Sequence, residues 1–247
     1  MSGMTEKKVT GVLQSDWSAA IQDYPIASGW THDGGALVVC DSAGGVYAFD
    51  SQQGELLWSE QSAHEGGALA MSMHPVEAVF ATAGQDGKIL IWDLSEARPR
   101  CCIEIGSGWV ENLLWSPDGA QLASSHGREI QIFAADGTEQ WRSDEHLSTV
   151  SALGWLNSEE LVSTCYGRVT IFDAATGEHN ERFEWKGSLV SLALSPDGDV
   201  IACGSQDNSV HFWRRSTGED SMMAGYPGKP AALALSLIHI SEPTRLV

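Results

Sequence analysis

Residues 189–213 read LVSLALSPDGDVIACGSQDNSVHFW. Apolar side chains alternate through residues 189–194, the run Ser195-Pro196-Asp197-Gly198 breaks the pattern, and a second apolar run covers residues 200–203. A polar turn, Gln206-Asp207-Asn208, then leads to a third run that ends at Trp213. Period-two alternation sets one face of a strand against a core. Proline presets one turn dihedral and glycine supplies a positive φ, so the chain reverses at each break. The stretch predicts three short antiparallel strands. The same layout recurs along the chain: an aromatic residue closes an apolar run at Phe49, Trp92, Phe133, Phe172 and Trp213, at spacings of 43, 41, 39 and 41 residues. A fourth strand is expected after each turn of the Asp-x-x-Thr-Gly type, such as residues 173–177. Sheets of four short strands have two apolar faces, and radial stacking covers both. The period therefore predicts an all-β propeller of four-stranded antiparallel blades, with five complete repeats and a partial sixth.

The second repeat carries His64 ahead of its first strand, Pro75, Thr82 in its second strand, Asp86 in the next turn, and Trp92-Asp93. In this register the chain resembles the WD-repeat family, in a bacterial-type form with divergent repeats, over residues 9–235. The resemblance implies a structural hydrogen-bonded network of His64, Thr82, Asp86 and Trp92. Taken as residues alone, His64 and Asp86 would suit an acid–base pair, but no nucleophile or third partner accompanies them. Other repeats depart from the pattern. The fourth has His146 and Ser163 but Tyr166 near the Asp position and Phe172 for Trp, so its network is not expected to close fully. The third keeps Ser124 without a leading His, the fifth has Trp185 at the His position and Cys203 at the Ser/Thr position, and the first diverges further.

A second resemblance competes. Asp50, Gly54 and Trp58, and likewise Gly137 to Trp141, are similar to the quinoprotein-type repeat Asp-x-x-x-Gly-x-x-x-Trp, in which tryptophans dock one blade on the next. It implies an enzyme or an assembly scaffold. The Cys101-Cys102 pair fits it as a vicinal disulfide, whereas the two Ser-Pro-Asp-Gly turns and Trp92-Asp93 speak for the WD-repeat reading.

The chain has 247 residues and a net charge of −19, from 33 acidic against 14 basic side chains. Such a field repels phosphate backbones and anionic lipid, so neither nucleic acid nor a membrane is expected as a partner. The opening residues lack the layout of a secretory signal, and cytoplasmic placement is expected. Five cysteines are present; Cys40, Cys165 and Cys203 fall in apolar runs as small core residues, and no spacing suggests zinc. No catalytic motif, metal site or cofactor is expected.

The expected domain plan is a disordered segment at residues 1–8, the propeller at 9–235, and a non-native tail at 236–247. Residues 231–236 match 190–195 as the first strand of a sixth repeat, but LSLIHISEPTR at residues 235–245 resembles a translated transposase-end sequencing adapter where a Pro-Asp-Gly turn should stand. The WD-repeat resemblance implies a truncated seven-bladed parent, with residues 9–13 as an outer strand of its closing blade. The function expected is a non-catalytic scaffold for protein or peptide partners. The WD-repeat resemblance implies that its binding surface is the face of the loops leading into each first strand and between second and third strands, which would bear Trp109, Trp185, Tyr166, Arg128, Arg168 and His126; Trp, Tyr and Arg dominate interface hot spots.

Overall fold

The computed structural model describes residues 16–235, and among these it has eighteen strands and no helix. The expected outer strand at 9–13, the disorder expected at 1–8 and the tail at 236–247 lie outside the described residues. Blade 1 is β1 (Pro25–Trp30), β2 (Ala36–Asp41), β3 (Val46–Asp50) and β4 (Leu56–Glu60). Blade 2 is β5 (Ala68–Met73), β6 (Val79–Gly84), β7 (Lys88–Asp93) and β8 (Pro99–Glu104). Blade 3 is β9 (Val110–Trp115), β10 (Gln121–His126), β11 (Glu129–Ala134) and β12 (Glu139–Arg142). Every neighbouring pair within these sheets is antiparallel, and strand order follows chain order.

Blades 4 and 5 are built from β13 (Ala152–Trp155), β14 (Glu160–Asp173), β15 (His179–Leu194), β16 (Val200–Ser205), β17 (Ser209–Arg214) and β18 (Asp220–Ala224). The Ala174 N–H donates to the Glu159 carbonyl at 2.8 Å, so β14 doubles back about Tyr166-Gly167 and supplies two strands of blade 4. The first part of β15 pairs with β14, from Phe172 opposite His179 to Arg168 opposite Glu184. Its second part pairs with β16 as the first strand of blade 5, Leu192 opposite Cys203. Where a loop between blades was expected, the chain passes from one sheet to the next as continuous strand. Residues 231–235 carry no sheet ladder; Leu233 and Leu235 instead lie against Ala193, Ala202 and Val210 of blade 5. Among the described residues no second strand of a sixth repeat is present to pair with them.

Strand alternation builds the core between blades. Ile89 and Ile91 face blade 3, where they meet Leu113, Leu122 and Phe133, whereas Leu90 and Trp92 face blade 1 and meet Val38, Cys40 and Val46. The joint between blades 3 and 4 packs Ile130 and Ile132 on Leu161 and Phe172, and the next packs Val169 and Ile171 on Ile201 and Trp213. The closing aromatics Trp92, Phe133, Phe172 and Trp213 thus fill the seams with the preceding blades, whereas Phe49 packs on Val39 and Tyr47 with Trp17 beside them. Each fully buried aliphatic side chain contributes about 1.5–3 kcal/mol of transfer free energy.

Tryptophans of the outer strands β4 and β12 pin the same seams. The Trp58 indole donates to the Leu94 carbonyl at 2.6 Å and that of Trp141 to the Ala174 carbonyl at 2.7 Å; Trp17, in the segment ahead of β1, donates likewise to the Ser51 carbonyl at 3.0 Å. Gly54 and Gly177 sit directly under Trp17 and Trp141, where an added Cβ would approach ring carbons to 2.4 and 2.8 Å. Only glycine lets the turn come so close, and both positions hold a positive φ. The geometry is the one the Asp-x-x-x-Gly-x-x-x-Trp resemblance implied.

Candidate functional site: a sealed network under an exposed loop face

In blade 2 the turn after β6 and the approach to β5 bring four side chains into one chain of hydrogen bonds. An indole N–H can only donate, and Trp92 donates to the Thr82 hydroxyl at 2.9 Å. The hydroxyl proton then points to His64 Nε2 at 2.8 Å, which leaves Nδ1 protonated to donate to Asp86 Oδ1 at 3.1 Å. Asp86 also accepts from the backbone N–H groups of Glu65 and Lys88 at 3.2 Å. His64 is 1% exposed, and Thr82 and Trp92 are wholly buried. A satisfied chain of this kind fixes the loop ahead of β5 to the turn after β6.

Blade 4 reaches the same end with other atoms. His146 Nε2 accepts from the Ser163 hydroxyl at 2.9 Å, and the Arg128 carbonyl accepts from His146 Nδ1 at 2.9 Å in place of an aspartate. Phe172 offers no donor, so Ser163 lacks the third link. In blade 3 the Ser124 hydroxyl is sealed without a hydrogen-bond partner, as the missing His foretold. Blade 1 substitutes Tyr47, whose hydroxyl donates to Asp41 Oδ2 at 2.9 Å. In blade 5 the Trp185 ring lies on His211 with centroids 3.9 Å apart.

On the opposite side, Ser116 and Ser195 hydroxyls donate to Asp118 and Asp197 and accept from the N–H groups of Gln121 and Val200, which closes the two Ser-Pro-Asp-Gly turns. Thr31 and Asp33 of the first repeat make the same turn, which the sequence reading passed over. His74 was also missed. It accepts from Glu77 N–H at Nδ1 and donates through Nε2 to the Gly119 carbonyl at 3.0 Å, a strap from blade 2 to blade 3.

The candidate binding residues gather on the end that carries the loops into each first strand. Hydrogen bonds join these loops into an arc. The Ser107 carbonyl lies 3.0 Å from His126 Nε2, Arg128 Nε donates to the His146 carbonyl at 2.7 Å, and the Tyr166 N–H donates to the Ser148 hydroxyl at 2.8 Å. Trp109 is 53% exposed and Tyr166 56%, with Leu147 at 58% between them in chain order. Arg128 is exposed and pairs with Glu145 at 3.2 Å, while Arg168 is more enclosed and lies 3.8 Å from Glu184. Trp185 is half-buried against the core of blades 4 and 5, so it supports the face from beneath.

Burial holds the imidazoles of His64, His146 and His211 below the ordinary histidine range, with Asp86, the Arg128 carbonyl and Asp220 respectively opposing it. An unfolded chain therefore takes up these protons first. The associated stability is fully present above about pH 6.5 and is lost as pH falls through that value. Urea midpoints should stay level above about pH 7.5 and fall between about 7 and 5, above the range where most carboxylates titrate. His146→Gln should flatten that slope. A midpoint that rises on acidification would contradict the assignment.

Four-stranded blades packed about their first strands, one of them holding a closed His–Thr–Trp–Asp chain, define a WD-repeat β-propeller. The chain belongs to the β-propeller family whose model is described as outer membrane protein assembly factor BamB, matched by residues 14–178, and to the WD-repeat propellers, whose model WD domain, G-beta repeat, matches residues 179–214. The serine-threonine kinase receptor-associated protein of Gallus gallus is 26% identical over 142 residues, which are 56% of this chain and 40% of that protein. Shk1 kinase-binding protein 15 of Schizosaccharomyces pombe is 25% identical over 177 residues, 72% of this chain and 51% of that protein. The chain thus spans between about two fifths and one half of these relatives. A chain in the crystal structure of a mitotic checkpoint complex shares the fold, with a TM-score of 0.73, 23% identity, and coverage of 86% of this chain and 68% of that one.

Proposed function

We propose that the protein is a non-catalytic scaffold that binds protein or peptide partners through its loop face. The observation that carries this is the exposure of Trp109, Leu147 and Tyr166 on loops that rigid blades hold in register. Large apolar and aromatic groups on fixed loops are what interface anchors require. The names of two relatives, a receptor-associated and a kinase-binding protein, agree with such a role. His64 and Asp86, the pair nearest to acid–base chemistry, are held in a buried network that a substrate does not reach. The charge of −19 argues against nucleic acid and anionic membrane as partners. Among the described residues no helix is long and apolar enough to cross a membrane. We place the protein in the cytoplasm, where the five free cysteines would stay reduced.

The tryptophan-docked seams and the match over residues 14–178 favour a second reading, an assembly scaffold of the type that model names. Fractionation separates the two: recovery with the cell envelope would favour the second. The face itself is tested by affinity capture with the double variant Trp109→Ala, Arg168→Ala. Loss of partners seen with the parent chain is expected, and an unchanged set of partners would show the face to be misassigned.

A further inference from the structure

A cleft of about 460 Å³ opens on the loop face, where the first strands of blades 3, 4 and 5 begin. Glu111, Asn112, Ser148, Ser151, Tyr166 and Ser188 are among its walls, and no Lys or Arg lines it. Three of its polar side chains have their donors already engaged within the protein. The Asn112 amide donates inward to the Ser125 hydroxyl and the Val150 carbonyl at 2.8 and 3.5 Å, so its Oδ1 is left over as an acceptor. The Ser151 hydroxyl donates to the Thr164 carbonyl at 3.1 Å, and that of Ser148 to the Thr149 carbonyl at 3.4 Å. Glu111 is exposed and, among the described residues, its carboxylate enters no ion pair or hydrogen bond. The cleft thus presents two spare acceptors, Asn112 Oδ1 and the charged Glu111 carboxylate, beside the exposed Tyr166 ring, while the Thr149, Ser188 and Tyr166 hydroxyls can donate or accept.

An anion would meet the Glu111 carboxylate with no cationic side chain to offset it, and an apolar side chain would leave the acceptors unpaired. A cation donates to the spare Asn112 Oδ1, gains Glu111 as counter-charge, and lies against an aromatic face. The field of a chain with 33 acidic and 14 basic side chains steers cations toward it. The volume lies within the range of about 300–1,000 Å³ common to ligand sites, enough for one long basic side chain and its flanking backbone. Building on the loop-face reading, we infer that this cleft receives a lysine or arginine side chain from an extended segment of the partner protein.

The test titrates the ¹⁵N-labelled 247-residue chain with four capped pentapeptides that differ only at the central residue: lysine, arginine, norleucine or glutamate. The lysine and arginine peptides should shift the amides of Glu111, Ser148, Tyr166 and Ser188. Glu111→Gln should weaken their binding at least about tenfold, and Tyr166→Leu about threefold. Both positions are exposed, so neither change should disturb folding. Equal shifts from the norleucine or glutamate peptides at the loop face, with no effect of Glu111→Gln, would overturn the inference and leave the loop-face reading standing. If the cationic peptides shift residues elsewhere, or none, the inference also falls, and the capture experiment decides the face independently.

Discussion

Trp92→Ala is expected to cost about 3 to 5 kcal/mol, a large share of a stability of about 5–15 kcal/mol. Trp92 is wholly buried, stacks on Phe80 with centroids 5.8 Å apart, and meets Trp58 of blade 1 at 5.9 Å. Truncation would open a cavity at a seam rather than inside one sheet, where the blades have no freedom to close it. Trp92→Phe should cost far less, because Phe133 and Phe172 fill the equivalent position in blades 3 and 4. Its main loss is the indole donor to Thr82, worth about 0.5–1.5 kcal/mol. Asp86→Ala should fall between them, at about 1 to 3 kcal/mol, since it strands the donors of His64, Glu65 and Lys88. Urea unfolding of the three variants would give the order; Trp92→Ala and Trp92→Phe of equal cost would remove the packing argument.

The second large effect separates backbone strain from blade docking. Gly177 and Gly218 hold equivalent turn positions, each donating its N–H to the residue four places earlier, with φ of 75° and 71°. An added Cβ at Gly218 meets nothing within 4 Å, whereas at Gly177 it approaches the Trp141 ring to 2.8 Å. Gly218→Ala should therefore show the dihedral penalty alone, about 1 to 2 kcal/mol. Gly177→Ala should add about 1 to 3 kcal/mol for pushing the tryptophan off its seam. Denaturant midpoints measure both. Equal losses would mean that Trp141 contributes nothing to holding blades 3 and 4 together.

The repeat was legible because it rests on local chemistry. Alternation, turn residues and one closing aromatic per unit can be read without knowing what packs on what, and each of the five aromatics stands at the end of the third strand of its blade. What stayed hidden depends on distant partners. Nothing near His146 in the sequence indicates that the Arg128 carbonyl, eighteen residues earlier, would stand where an aspartate was expected. His74 looked like a residue before a proline, and its tie to Gly119 lies 45 residues away. The first repeat diverges furthest from the pattern, yet Thr31 and Asp33 reproduce the Ser-Pro-Asp-Gly turn with a threonine and a histidine in place of serine and proline. A pattern that required a hydroxyl two residues before an aspartate, without the proline, would have found it. The two resemblances competed in the sequence because the chain uses both devices: the His–Thr–Trp–Asp chain within blade 2 and docked tryptophans between blades.

The most direct test of the scaffold account is amide hydrogen exchange on the chain alone and bound to a partner recovered by affinity capture. The account predicts new protection confined to the loop arc at residues 107–111, 126–128, 146–151, 166–168 and 185–188, with the Thr31, Ser116 and Ser195 turns unchanged. Protection on those turns, with the arc exchanging as before, would contradict it.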